Sequence, residues 1–272
     1  MKIRPSQSVE ETKRQCSTPK LRQDCRMRED CNESMEEALA IIPARGGSKG
    51  IYKKNLQEVG GIPLIQRTIE AAQKCSYISR VAVSTDDDEI ATLARKHHAI
   101  AISRPEKLSS DISNSEDALI HAIRELQKVS QIEKRIAFLQ CTSPFTTSDD
   151  IDLVIAALDH NSLNSSFAAT PWHGFLWSTK GEGINHNPLE ARKRRQDLEI
   201  TLLETGSVYA MRTEKFIKEK TRFCLPTRPI LVNHNPQEVD TYEDLELCRI
   251  MHKHQTIHQK PQQQNTIDRI SC

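Results

Sequence analysis

From Ala38 to about Leu158 the chain alternates short apolar runs with longer segments of helical apolar spacing. Ala38 to Ile42, Arg80 to Ser84, Ile100 to Ile102 and Arg135 to Gln140 read as strands. Pro63 to Cys75, Asp88 to His97, Ser115 to Val129 and Ser148 to Leu158 read as helices. In the first of these, Leu64, Ile65, Thr68, Ile69 and Ala72 fall on one face. Strict alternation of this kind predicts a parallel sheet covered on both faces, because each crossover helix must return the chain to the same end of the sheet. The expected class is therefore α/β, a doubly wound, mostly parallel sheet. Its ligands should bind beyond the carboxyl ends of the strands.

The segment after the first strand sits at such an end. Pro43 to Asn55 holds Gly46, Gly47, Ser48 and Gly50 together with Arg45, Lys49, Lys53 and Lys54. Glycines let the backbone approach a ligand closely, and successive N–H groups in such a turn form an anion-binding nest. The basic side chains add charge, so the loop reads as one that wraps a polyphosphate. It is neither a Walker loop, since no Gly-Lys pair is present, nor a G-x-G-x-x-G dinucleotide fingerprint. The alternative is a solvated basic loop.

Beyond Ser165 the alternation breaks. Ser166 to Thr170 reads as a strand, and a segment with both tryptophans, Trp172 and Trp177, and the basic run Arg192 to Arg195 follows. An aromatic excursion from an α/β core suggests a partner surface. Gly206 to Met211 and Ile230 to Val232 read as strands, Thr213 to Lys218 and Tyr242 to His254 as helices. Residues 1–37 are polar without apolar periodicity and are expected to be disordered. Residues 38–253 are expected to form the folded domain, with an arm at about 165–205, and the Gln- and His-rich 254–272 a solvated tail. Three histidines there, His252, His254 and His258, also admit a metal reading.

The formal net charge of +1 predicts neither nucleic acid nor membrane as a partner. Eight cysteines without a C-x-x-C pair read as reduced thiols of a cytosolic or nuclear compartment. The N-terminus lacks the apolar core of a secretion signal.

Four further constellations carry polar chemistry. Ser84-Thr85-Asp86 ends a strand and suits either a ligand or a helix cap, a role open to Asp87 and Asp88 as well. Arg104-Pro105, with Leu108 and Asp111, forms a proline-fixed arginine loop, and Ser115 reads as a cap of the next helix. Gln140-Cys141-Thr142-Ser143-Pro144 offers neutral, directional hydrogen bonds suited to a sugar, or capping hydroxyls. Glu238-Val239-Asp240 offers two carboxylates suited to a hard divalent cation, or acids favoured at a helix N-terminus.

Pro43-Ala44-Arg45-Gly46-Gly47-Ser48-Lys49-Gly50, closing on Lys54-Asn55, resembles the signature loop of the acylneuraminate cytidylyltransferases. The resemblance runs in order from about Ala38 to Cys248, through the S-T-D, R-P-x-x-L-x-x-D, Q-x-T-S-P and E-x-D motifs above. It implies a Rossmann-like nucleotidyltransferase that joins CTP to a nine-carbon 2-keto acid sugar and releases pyrophosphate. N-acetylneuraminate is the acceptor read first, with legionaminic, pseudaminic or Kdo-type acids as near alternatives. A catalytically silent binding module is the reading of another class. The resemblance implies that Arg45, Lys49 and Lys54 neutralise the phosphates. Ala44, Arg45, Ser48, Asn55, Asp86, Arg104 and Ser115 would bind the nucleotide. Gln140, Thr142, Ser143 and Tyr209 would bind the sugar, with Arg195 and Gln196 reaching in from the arm of a neighbouring subunit. Glu238 and Asp240 would hold Mg²⁺. A homodimer with composite sites follows from the arm. The chain departs from the family at Tyr52, at Thr205 before Gly206, and near Trp177.

Overall fold

The computed structural model describes residues 36–110, 113–159, 162–194, 197, 200–233 and 236–258. Nine strands and six α-helices lie among the described residues: β1 (Ala38–Pro43), β2 (Glu58–Val59), β3 (Ile62–Pro63), α1 (Leu64–Gln73), β4 (Ile78–Thr85), α2 (Asp88–Lys96), β5 (Ile100–Ser103), α3 (Ser115–Gln127), β6 (Arg135–Leu139), α4 (Ser148–Ala156), β7 (Ser165–Trp172), β8 (Thr201–Arg212), α5 (Thr213–Glu219), β9 (Thr227–Leu231) and α6 (Tyr242–His258). Seven strands form one sheet in the order β5-β4-β1-β6-β8-β7-β9, and β2 pairs with β3 in a small hairpin. β5, β4, β1 and β6 run parallel. β8 runs antiparallel to both β6 and β7. The mostly parallel, doubly wound class is thus correct, with one reversed strand.

The pleat divides the core in two. Ala38, Ala40 and Ile42 of β1 face one buried cluster, in which Leu64, Ile65 and Ile69 of α1 pack with Ile151 and Val154 of α4. Leu39 and Ile41 face the other, with Leu119 and Ile123 of α3 and Phe216 of α5. Alternate residues of a strand point to opposite faces, so an apolar run throughout β1 is what a doubly covered strand requires.

Several boundaries differ from the sequence reading. Glu36, assigned there to the extension, pairs with Lys134 at 2.9 Å and Arg135 at 3.3 Å, so the folded unit includes it. β8 begins at Thr201 rather than Gly206, because its first residues pair with the end of β7 outside the core, Trp172 with Thr201 and Ala169 with Glu204. α6 continues to His258, so His254 is helical rather than part of a tail. Residues 1–35 lie outside the described residues.

Candidate active site

β1 ends at Pro43 and hands the chain to the basic loop at the carboxyl end of the parallel strands. The Ala44 N–H still bonds the Ser84 carbonyl at 2.9 Å, so Ala44 is buried and anchors the loop rather than facing a ligand. The Gly46 N–H donates to Asp86 Oδ1 at 2.9 Å. A Cβ on Gly46 would lie 2.8 Å from Asp87 Cβ, and one on Gly50 would overlap the Asp240 carbonyl oxygen. These two glycines are therefore needed for close packing within the protein. A Cβ on Gly47, by contrast, meets nothing within 4 Å.

Lys53 adopts a left-handed conformation, φ 47°, and starts a short 3-10 turn that carries Lys54 and Asn55. Asn55 donates to the Arg45 carbonyl at 3.0 Å, tying the two ends of the loop together. Lys54 Nζ lies 3.0 Å from Asp240 Oδ1. The Val239 N–H donates to the Thr142 carbonyl at 2.8 Å and fixes the Glu238–Asp240 segment beside the turn that follows β6. Glu238 seats its carboxylate against Gly206, where a Cβ would overlap Oε1. Gly206 has φ 67°, a conformation glycine adopts without steric cost. Burial and the neighbouring Asp240 charge raise the Glu238 carboxyl above its ordinary value, while Lys54 opposes them.

Between these elements lies a cavity of about 230 Å³. Arg45, Lys54, Asn55, Arg104, Ser115, Gln140 and Thr142 all line it, so seven of the residues singled out in the sequence converge on one space. Arg104 is 7% exposed, and its guanidinium bonds Ser84 through Nε to Oγ at 3.1 Å and through Nη2 to the carbonyl. Burial, the largest cause, and the nearby Arg45 charge weaken its hold on its proton, and Asp86 opposes them only in part. A guanidinium stays charged even so, so an extended cation stands at the cavity wall.

Other expectations need correction. Ser115 is not the cap of α3. Asn114 is, accepting from the Asp117 N–H at 2.7 Å, which leaves the Ser115 hydroxyl for the cavity. Asp86 accepts the Gly46 N–H, while Asp87 caps α2 through the Glu89 and Ile90 N–H groups. Ser143 is buried, and its hydroxyl has no partner among the described residues. Tyr209 is buried behind Phe138, its ring centroid 5.3 Å away, and its hydroxyl donates to Glu204. Neither Ser143 nor Tyr209 lines the cavity, nor do Ser48 and Lys49. Arg195, Gln196 and Asp111 lie outside the described residues. Sequence reasoning missed Asn114, whose cap role a D/N-S-x-D pattern could have signalled, and Phe138, hidden within an apolar strand.

In the arm, His186 packs edge-on against Phe175 and Trp177 at 5.0 and 4.7 Å, and the Arg192 guanidinium lies 4.0 Å from the centre of the Phe175 ring. Trp177 is 50% and Leu189 94% exposed. No described helix is long and apolar enough to cross a membrane. Among the described residues no group of three or more His, Cys, Asp and Glu side chains is placed to hold a metal ion, and the His258 side chain of the three-histidine reading lies outside them.

A basic loop after β1, an arginine-walled cavity beyond the parallel strands and a carboxylate paired with the loop lysine are parts that a nucleotidyltransferase needs. Over residues 39–257 the chain matches the cytidylyltransferase family and belongs to it, in the acylneuraminate branch. It is 30% identical over 222 residues to the pseudaminic acid cytidylyltransferase of Campylobacter jejuni, covering 79% of this chain and 96% of that protein. It is 35% identical over 182 residues to N-acylneuraminate cytidylyltransferase A of Danio rerio, covering 64% of this chain and 41% of that larger protein. In fold it resembles CMP:2-keto-3-deoxy-manno-octonic acid synthetase complexed with CTP, with a TM-score of 0.61 and 20% identity over 80% of this chain and 99% of that one.

Proposed function

We propose that this enzyme transfers a cytidylyl group from CTP to a nonulosonic acid, with N-acetylneuraminate as the acceptor, giving the CMP-sugar and pyrophosphate. The observation that carries this reading is the convergence of Arg45, Lys54, Asn55, Arg104, Ser115, Gln140 and Thr142 on one cavity. Lys54 faces Asp240 across its rim. In the reaction the anomeric hydroxyl of the sugar attacks the α-phosphorus, and the bond to the pyrophosphate oxygen breaks. Such chemistry depends on positioning and charge stabilisation. Arg45 and Lys54 hold the phosphates, with Lys49 beside them, Asn55 keeps the loop closed, and Ser115 and Arg104 orient the nucleotide.

Glu238 and Asp240 fit a Mg²⁺ ion. Burial first and the Asp240 charge second hold the Glu238 carboxyl above its ordinary value, a cost that a cation bound between the two would relieve. A magnesium ion characteristically takes one or two protein carboxylates and draws its other ligands from phosphate and water. Held by Glu238 and Asp240, such a cation would supply positive charge for the triphosphate.

The arm supports a homodimer. Exposed apolar side chains concentrate in it, among them Trp172, Trp177, Ile184, Leu189, Leu202 and Leu203, as expected of a segment that meets a partner. A second copy would cover it and bring Arg195 and Gln196 to the neighbouring sugar site. The test of the whole reading is pyrophosphate release with a panel of nucleotides and 2-keto acid sugars. CTP with N-acetylneuraminate should give the highest kcat/KM. Faster turnover with pseudaminic or legionaminic acid would replace the acceptor, and no release with any pair would favour a silent binding module.

A further inference from the structure

One charged group packed against a wall residue of the cavity, though not itself lining it, has no role in this reading. Arg222, after α5, lies with its guanidinium 4.7 Å from the centre of the Tyr209 ring and 4.8 Å from that of Phe138. Phe138 is part of the cavity wall, and Glu116, which takes the Arg222 Nε hydrogen bond at 2.7 Å, directly follows Ser115, another wall residue. The pair sits over β6 and β8, because Phe138 and Tyr209 face each other across those strands. This is the side of β1 away from β4, whereas Arg104 follows β5 and bonds Ser84 of β4.

The side chains of Arg222 and Glu116 are 19% and 15% exposed. Burying an ion pair to this degree gains little stability over apolar packing. A guanidinium carries five N–H donors. Its guanidinium donates from Nε to Glu116 and otherwise stands over the Tyr209 and Phe138 rings. Donors therefore remain, while the charge is already balanced by Glu116, with Glu204 close by on Tyr209. A group with spare donors and little net charge suits a neutral acceptor better than a second carboxylate. Beside it the Phe138 ring offers apolar surface. A donor next to an apolar face matches an acyl group, which presents a carbonyl oxygen and a methyl.

We propose that Arg222, held by Glu116, is a specificity-determining residue that donates to an acylamino carbonyl oxygen of the sugar substrate. The inference rests on the nonulosonic-acid reading above. A site built to hydrogen-bond a polar group discriminates strongly against analogues that lack it.

The experiment compares two acid sugars that differ only in an acylamino group replaced by hydroxyl, with the wild-type enzyme, Arg222→Lys and Arg222→Ala. Arg222→Ala should lower kcat/KM for the acylated sugar about 10- to 100-fold, the worth of one hydrogen bond to a charged donor. The hydroxyl analogue should change less than about threefold, and the KM for CTP should stay the same. Arg222→Lys keeps the charge but loses the planar fork. It should show the same selective loss to a smaller degree, and its thermal unfolding reports whether the loop is intact. An equal fall on both sugars would make Arg222 a structural strap, and unchanged kinetics in a folded variant would remove it from the site. Either overturns the proposal while leaving wild-type turnover, and so the assigned function, in place. A wild-type enzyme that transfers to no acid sugar would end both.

Discussion

Gly206 and Glu238 illustrate how one missing side chain can position another. The carboxylate of Glu238 occupies the space a Cβ at Gly206 would take, and the positive φ at 206 makes any substitution there strained as well. Gly206→Ala should therefore displace Glu238 and weaken divalent-cation binding, measurable with Mn²⁺ as a spectroscopic probe. It should also cost more than the ~1 kcal/mol by which Gly and Ala differ at unstrained sites. Unchanged Mn²⁺ affinity would separate Gly206 from the carboxylates. Asp240 is the partner of Lys54. Asp240→Asn should cut turnover by at least about 10²-fold, the scale for losing a principal electrostatic stabiliser. Full activity of that variant would remove Asp240 from the machinery. Arg45→Ala and Lys54→Ala should each cost about 1.5–3 kcal/mol in CTP binding or turnover, the worth of a hydrogen bond to a charged group. Unchanged kinetics for both would return the loop to the status of solvated surface.

Among the elements, α4 shows how local sequence and tertiary contact reinforce each other. Thr147 and Asp150 form a reciprocal capping box at its N-terminus. Asp150 also accepts the Asn233 N–H at 3.2 Å, tying the helix to the chain beyond β9. Thr147→Ala should cost about 1 kcal/mol, the usual worth of an N-cap. Asp150→Ala should cost more, because it leaves a second donor without its partner. Urea unfolding of the two variants tests the order, and the reverse order would mean that the bond to Asn233 contributes nothing. α3 is capped by Asn114, so its first residue, Ser115, is free to serve the cavity. A one-residue shift in a cap thus leaves a hydroxyl at the cavity wall instead of at the helix end.

For the molecule as a whole, the first part of the stability lost on acidification should come from two histidines. Burial lowers the His121 pKa from 6.5, with nearby Lys128, Arg104 and Lys107 adding to it against Glu125. Burial and Arg67 lower that of His252 on α6. A base whose folded pKa is depressed favours folding above the unfolded value and loses that contribution as pH falls. The melting temperature should drop as pH falls below about 6.5 and on through the folded pKa values. The double variant His121→Asn, His252→Asn should flatten that slope, and an unaltered slope would assign it to other groups. Glu36 joins Lys134, Arg135 and Arg212. A chain beginning at Met35 should therefore fold and turn over normally, whereas an insoluble or inactive product would show that residues 1–34 contribute. The composite-site proposal makes a further demand. Arg195→Ala should weaken sugar binding far more than CTP binding. Mixed with Asp240→Asn, it should recover part of the activity after subunit exchange, since one site of the heterodimer carries neither lesion. A monomer by light scattering, or no recovery, would refute the shared site.

The sequence alone determined the alternation of elements, because apolar periodicity is imposed residue by residue by burial on one face or two. It also determined the loop after β1 and the wall residues Arg104, Gln140 and Thr142, since their side-chain chemistry stands next to strand ends that are legible locally. What it left open depends on contacts distant in the chain. The reversed β8, the seat of Glu238 over Gly206, the Lys54–Asp240 pair and the burial of Tyr209 join segments separated by up to 186 positions. Asp86 and Asp87 divide their work between loop and helix only once β1 and β4 lie side by side. Periodicity reports which residues are buried, but only the tertiary structure decides which neighbours they meet.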